Sequence, residues 1–300
     1  MPGDYDHHRH AGNHGDVWKH CALVAWLQAL GAADPRPLDY LETHAGAGRY
    51  RLARAGEWRD GIARVVEAPA GDAPEAVRLY LERFLRVGIW TDQGRVYPGS
   101  PNLAQHSLGP GDRLLLHELE PGAAGILREK LGGDPRVAVL ERDGPSGLVE
   151  LLEGRASGLR AGARAAAVVD PPYSQKAEWL ATGRACLAAL RARPELALFL
   201  WYPIVSRTRP QALLAQLAAG GARGEALELV VTPLGLGRQQ LNGSGVALVN
   251  APAAAVADIT AAGPWLGRAL STRGAWELRA QSFGPPKALA ASGVASPGTR

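Results

Sequence analysis

Ala165-Ala166-Ala167-Val168-Val169-Asp170-Pro171-Pro172-Tyr173 is the stretch on which the fold turns. A run of small and branched apolar residues reads as a strand buried on both faces of a parallel sheet. A carboxylate closes that strand, two prolines stiffen the turn after it, and an aromatic ring follows. Open α/β sheets bind their ligands beyond the carboxyl ends of the strands. The arrangement suits a flat base bearing an exocyclic amine. Asp170 and the Pro171 carbonyl can accept its N–H groups, and Tyr173 can stack on its ring. The plain alternative is a proline-rich turn after a core strand, and these residues alone leave the two readings level.

Upstream, Pro37 to Glu42 forms a strand that feeds Thr43-His44-Ala45-Gly46-Ala47-Gly48-Arg49-Tyr50. Glycines let a backbone approach a nucleotide-like ligand closely. The third glycine of a dinucleotide fingerprint is missing, because the residue three after Gly48 is Arg51. NAD is therefore disfavoured, and acid-x-x-x-Gly-x-Gly is the common form for S-adenosylmethionine (SAM). A Rossmann unit reaches its next terminal acid roughly 20 residues after such a loop. Here the next strand of that kind, Arg113 to Glu118, lies far beyond it. Residues from about 51 to 97 are therefore read as a small helical insertion, with Val77, Leu81, Phe84 and Leu85 at helical spacing. The chain returns at Tyr97-Pro98-Gly99-Ser100-Pro101, and Ser100 starts the delayed crossover helix.

Glu118 is placed to accept hydrogen bonds from ribose hydroxyls, with Glu120 as its rival. Asp143-Gly144, after a strand over 136–140, falls where a nucleoside's adenine would sit, and a carboxylate there can accept from N6. The plain alternatives are a solvated strand-end acid and an ordinary Asp-Gly turn. Helices are expected near 121–131, 176–191 and 208–219, and strands over 196–201, 226–232 and 245–250. Trp265 to Leu270 reads as a short amphipathic piece, and Trp276 to Leu278 as an extension of the sheet.

Near the start, Asp16 is expected to open a helix that carries Cys21, Val24, Leu27 and Leu30 and stops near Gly31. Five of the eight histidines fall in the first 20 residues. A metal site is discounted, because no cysteine or carboxylate pattern of ligand spacing accompanies them. Apolar content of 46% fits a globular protein, and no run of about 18 apolar residues suggests a membrane span. With no secretory signal and two distant cysteines, a cytoplasmic protein is expected. The net charge of +4 permits a nucleic-acid partner without demanding one. Arginine far exceeds lysine, which suits phosphate binding but equally reflects GC-rich codon usage.

Taken in order, these motifs resemble the RlmJ-type ribosomal RNA adenine-N6 methyltransferases of bacteria. The likeness is carried by His10-Ala11-Gly12-Asn13-His14, by Asp16-Val17 with Lys19-His20, and by the glycine loop 43–50. Tyr97 to Pro101, Asp170 to Tyr173 and Trp201-Tyr202-Pro203 complete it. Asp-Pro-Pro-Tyr alone is shared by many amino-methyltransferases. The resemblance implies an α/β protein: a Rossmann-like SAM-dependent methyltransferase sheet with a small inserted helical subdomain. It implies methylation of one adenine N6 in 23S ribosomal RNA, with no metal and no membrane, by a protein expected to be a monomer. It implies that His20, His44, Gly46, Gly48, Ser100, Glu118, Asp143, Gly144 and Asp170 hold SAM. Asp170 would be catalytic, and Tyr5, His7, Lys19, Pro171 and Tyr173 would meet the RNA substrate.

The expected organisation is a methyltransferase domain over 1–284, including the N-terminal motif and helix over 5–30, with a disordered tail over 285–300. Glu42 stands where the family leads one to expect aspartate, and Asp6, Arg9 and the loop at 237–244 also depart. The rivals are an adenine methyltransferase acting on DNA or another RNA, a protein glutamine methyltransferase, and a catalytically silent RNA-binding relative. Asp170 argues against glutamine, which usually goes with asparagine before Pro-Pro-Tyr.

Overall fold

A computed structural model describes residues 10–69, 71–91, 94–156, 159–235 and 241–285. At its centre are β1 (Leu38–Glu42) and β7 (Arg164–Val169), paired in parallel with Glu42 opposite Val168. β5 (Arg113–Glu118) flanks β1 on the other side and β6 (Val137–Glu141) lies beyond it. Beyond β7 come β8 (Ala197–Ile204), β10 (Gly243–Val249), β9 (Gly224–Val230) and β11 (Glu277–Phe283). The resulting eight-stranded sheet is parallel from β6 to β8 and antiparallel from β8 to β11. The chain leaves β1 toward β5 and β6, then crosses back to β7. The order of strands therefore reverses beside β1, where such sheets open a ligand crevice.

Alternation of side chains explains why both faces are apolar. Tyr40, Leu114, Leu116, Ala166 and Val168 pack into one core layer, while Leu41, Leu115, Ala165, Ala167 and Val169 pack into the other. The first layer is covered by α1 (His14–Ala33), α3 (Glu75–Val87), α4 (Ser100–Ser107), α5 (Pro121–Leu131) and α9 (Ala253–Leu270), with the short α2 (Ile62–Glu67) between. The second is covered by α6 (Gly144–Leu152), α7 (Lys176–Ala192) and α8 (Thr208–Ala219). α1 is buried nearly all round from Val17 to Leu30. Such a helix belongs inside a fold, and it lies against α3, α4, α9 and β10.

Four expectations need correction. α1 begins at His14, because Asn13 is the cap: its side chain accepts from the Asp16 N–H at 3.0 Å. Asp16 sits in the first turn and accepts from the Gly12 N–H instead. The helix also runs past Gly31 to Ala33, where the missing side chain faces open space. The insertion is not purely helical. β2 (Arg49–Arg51), β4 (Gly94–Pro98) and β3 (Ile89–Thr91) make a separate three-stranded antiparallel sheet beside α2 and α3. Finally, the piece expected at 265–270 is the end of the 18-residue α9, which continues through Pro264.

Candidate active site

The loop after β1 is stitched to both neighbouring strands. Thr43 N–H donates to the Val168 carbonyl at 3.1 Å and Ala45 N–H to the His117 carbonyl at 2.9 Å. The glycine loop and the Asp170 turn therefore emerge side by side at the same end of the sheet. Gly46 and Gly48 both adopt positive φ, +61° and +72°. A Cβ at Gly48 would also press against Leu127, so the second glycine is needed for packing as well as for conformation. Gly46 N–H donates to Glu118 at 2.7 Å, and Glu120 N–H donates to the other Glu118 oxygen at 2.8 Å. Glu120 itself caps α5 through the Gly122 and Ala123 N–H groups. Glu118 thus touches the glycine loop, and Glu120 serves a helix.

Asp143 caps α6, accepting from Ser146 N–H at 2.9 Å. A Cβ at Gly144 would collide with the Thr43 carbonyl, so this glycine lets the start of α6 rest on the loop. His44 bonds Thr43 Oγ1 at 2.8 Å, and burial lowers its pKa, keeping the ring neutral near pH 7. His20 lies deeper. Its Nδ1 shares a hydrogen bond with the Tyr97 hydroxyl at 2.8 Å, while Nε2 is buried with no partner among the described residues. Burial, helped by the charge of Lys19, pushes the His20 pKa down to about 3.

Ser100 opens α4 and donates to Glu42. Tyr40 donates to the other Glu42 oxygen at 2.8 Å. The carboxylate is fully buried, and that burial raises its pKa to about 7 although both hydroxyls favour the ion. Glu42 was legible only as a departure from the family pattern. Its network with Ser100 spans the whole insertion, and no local pattern announces it.

Asp170 is held from an unexpected direction. Lys19, on α1, donates to Asp170 Oδ2 at 2.7 Å and pairs with Asp16 at 3.0 Å. Burial pulls the lysine pKa down, but the two carboxylates outweigh it and hold the ammonium well above its ordinary value. Lys19 is 9% exposed and committed to two acids. Asp16 was one helical turn away in the sequence, and that i,i+3 spacing was the available signal. Oδ1 of Asp170 and the Pro171 carbonyl have no hydrogen-bond donor among the described residues.

Tyr173 also departs from expectation. It is buried, with its ring 4.3 Å from Trp179 and 6.2 Å from Trp201, and its hydroxyl donates to the Trp201 carbonyl at 2.9 Å. Its backbone has φ +53°, an unusual value for a residue with a side chain. The ring anchors the Asp170 turn rather than standing free as a plate for a base. Trp201 of β8, which the Lys19 ammonium approaches at 5.3 Å, joins Tyr173 to the lysine. Tyr5 and His7 lie outside the described residues. No group of three or more histidine, cysteine or acidic residues that could hold a metal occurs among the described residues.

Residues 35–280 match the family model described as ribosomal RNA large subunit methyltransferase D, RlmJ. The chain belongs to the RlmJ family. Ribosomal RNA large subunit methyltransferase J of Escherichia coli K12 is 34% identical over 271 residues, covering 87% of this chain and 92% of that protein. The Haemophilus influenzae protein of the same name is 31% identical, with 83% and 87% covered. Among solved structures, protein LPL1258 of Legionella pneumophila aligns with a TM-score of 0.78 at 26% identity, over 91% of this chain and 98% of that one. Within this RlmJ-family site the residues fit SAM. The His20 Nε2 lacks a partner among the described residues, two positive-φ glycines line the loop, and Glu118 and Asp143 end adjacent segments.

Proposed function

We propose that this chain methylates the N6 amine of an unpaired adenine in 23S ribosomal RNA, acting as a monomer in the cytoplasm. S-adenosyl-L-methionine is the methyl donor, and its sulfonium makes the methyl carbon electrophilic. One observation carries the reading. The Thr43–Val168 hydrogen bond joins the cofactor loop to the strand that presents Asp170, so both border one opening. His20, His44, Ser100, Glu118, Asp143 and the glycines 46, 48 and 144 would hold the donor.

An adenine amine is a weak nucleophile because its lone pair is delocalised into the ring. The protein's task is to bring that nitrogen to about 3 Å from the methyl carbon, in line. Asp170 Oδ1 and the Pro171 carbonyl are free to accept the two N6 hydrogens. Accepting both favours a more pyramidal nitrogen. Positive charge grows there during transfer, and fixed carboxylate charge stabilises it. The Asp16–Lys19–Asp170 cluster sets one ammonium against two carboxylates, so it stays net negative toward the base. Asp170 need not take a proton before attack, since the methylated ammonium loses one readily afterwards. A base stacked in a helix cannot reach this opening, which restricts the target to unpaired or flipped-out nucleotides.

The test is transfer of labelled methyl to protein-free 23S RNA, followed by mapping of the modified base. Asp170→Ala is expected to lower turnover by about 10²-fold or more, with SAM affinity by calorimetry within a few-fold of the parent. Near-normal turnover in that variant would remove Asp170 from the mechanism.

A further inference from the structure

We infer that the inserted subdomain carries a second RNA contact, in which Arg54, Arg59 and Arg95, braced by Trp58 and Trp90, grip backbone phosphates beside the target base. This rests on the RNA-methylating function proposed above. Several arginines among the described residues are neutralised by a carboxylate: Arg36 by Asp34, Arg136 by Asp134, Arg160 by Asp39 and Arg207 by Glu228. Arg54, Arg59 and Arg95 have no carboxylate within ion-pair distance among the described residues. Arg59 and Arg95 meet aromatic rings instead. The Arg59 guanidinium lies 4.8 Å from the Trp58 ring centre, and that of Arg95 lies 5.1 Å from both Trp58 and Trp90. Trp58 and Trp90 themselves meet edge to face at 5.6 Å.

Stacking fixes the plane of a guanidinium and leaves its N–H edge available. That state is preorganised for phosphate, which takes two of those donors at once. Arg59 Nε and Nη2 donate to the Arg54 carbonyl at 3.2 and 3.1 Å, and Trp58 Nε1 donates to the Ala53 carbonyl at 2.7 Å. The turn bearing the exposed Arg54 is thereby held against the same stack. No side-chain nitrogen of Arg95 finds an acceptor among the described residues, and its Nε is buried. Of the acids nearby, Glu57 is already engaged by His10 at 2.8 Å and Asn13 at 3.1 Å, while Asp60 remains exposed.

Those Glu57 bonds also place the patch. The turn Glu57–Asp60 seats the N-terminal motif, and Ile62 N–H donates to the Gly12 carbonyl at 2.9 Å. α1 starts at this seam and carries Lys19 to Asp170. An RNA strand crossing the arginine stack therefore runs alongside the segment that leads to the catalytic opening.

The experiment uses the full chain and a 23S RNA fragment that the parent methylates, with binding measured at several salt concentrations. Arg54→Ala/Arg59→Ala changes two exposed side chains outside the core. It is expected to bind RNA about tenfold more weakly, with the slope of log affinity against log salt reduced by roughly 0.7–0.9 per arginine. SAM affinity, thermal midpoint and kcat at saturating RNA should stay at the parent values. Arg36→Ala, at the other end of the sheet, is the control for loss of charge alone. The inference is overturned if the double variant keeps parental affinity and slope, or if Arg36→Ala loses as much. A parent that binds RNA but transfers no methyl would sink the function above, and the binding comparison would still decide the docking surface.

Discussion

Glu42 and Asp170 end neighbouring strands at one edge of the sheet, and they keep opposite chemical company. Glu42 is buried against two hydroxyls, Tyr40 and Ser100, and its pKa rises to about 7. Asp170 is nearly as enclosed but touches the ammonium of Lys19. Hydroxyls stabilise a carboxylate by hydrogen bonding alone, which does not offset full desolvation here. An ammonium adds a full opposite charge, so the two acids sit in different electrostatic company. Equal position on the sheet thus gives two acids with separate partners: one ties the insertion's return to the glycine loop, the other holds Lys19 of α1.

The most drastic way to break this contrast is Lys19→Met. It leaves Asp16 and Asp170 buried beside each other without a counter-charge, and a loss of about 3–5 kcal/mol is expected from urea unfolding at pH 7. Adding Asp16→Asn should restore part of that loss.

Glu42→Gln sharpens the comparison from the other side. Below the ordinary pKa of 4.5, Glu42 is protonated in folded and unfolded chains alike, and its contribution is complete. As pH rises the unfolded chain ionises first, so stability falls by roughly 1.4 kcal/mol per unit until about pH 7 and then levels off. The Gln variant should lack that decline, so its denaturation midpoint should change less between pH 5 and 8 than the parent's. An unchanged pH profile would mean that Glu42 is ionised throughout. Tyr173→Phe is the mildest test. It removes one hydrogen bond to Trp201, and a cost of about 1 kcal/mol is expected in urea, with a modest fall in kcat as the Asp170 turn loosens.

Much of the molecule was legible because strand-end acids and glycine loops are written locally. The β7 run, the Gly46–Gly48 loop, Glu118 and the delayed crossover helix all fall where the pattern places them. What escaped was tertiary. β2 and β3 have three residues each, too few for a period to emerge, and they exist because β4 pairs with both. Only the end of α9, Trp265 to Leu270, was read as a short amphipathic piece, although Ala253 to Ala262 is rich in helix-forming alanine. The ion pairing of Lys19 was hidden because its second acid, Asp170, comes 151 positions later. Tyr173 looked free because nothing near it in sequence foretells Trp201 beneath its ring.

The burial of α1 has a consequence for how the molecule is made. This helix is synthesised well before α9, which walls it in. Its apolar stretch over 21–27 cannot rest in water while it waits. The nascent chain must shelter it against provisional neighbours, or a chaperone, until residue 270 clears the exit tunnel. Lys19 rides on that helix, so a chain cut short within α9 would lose its active site along with its last wall.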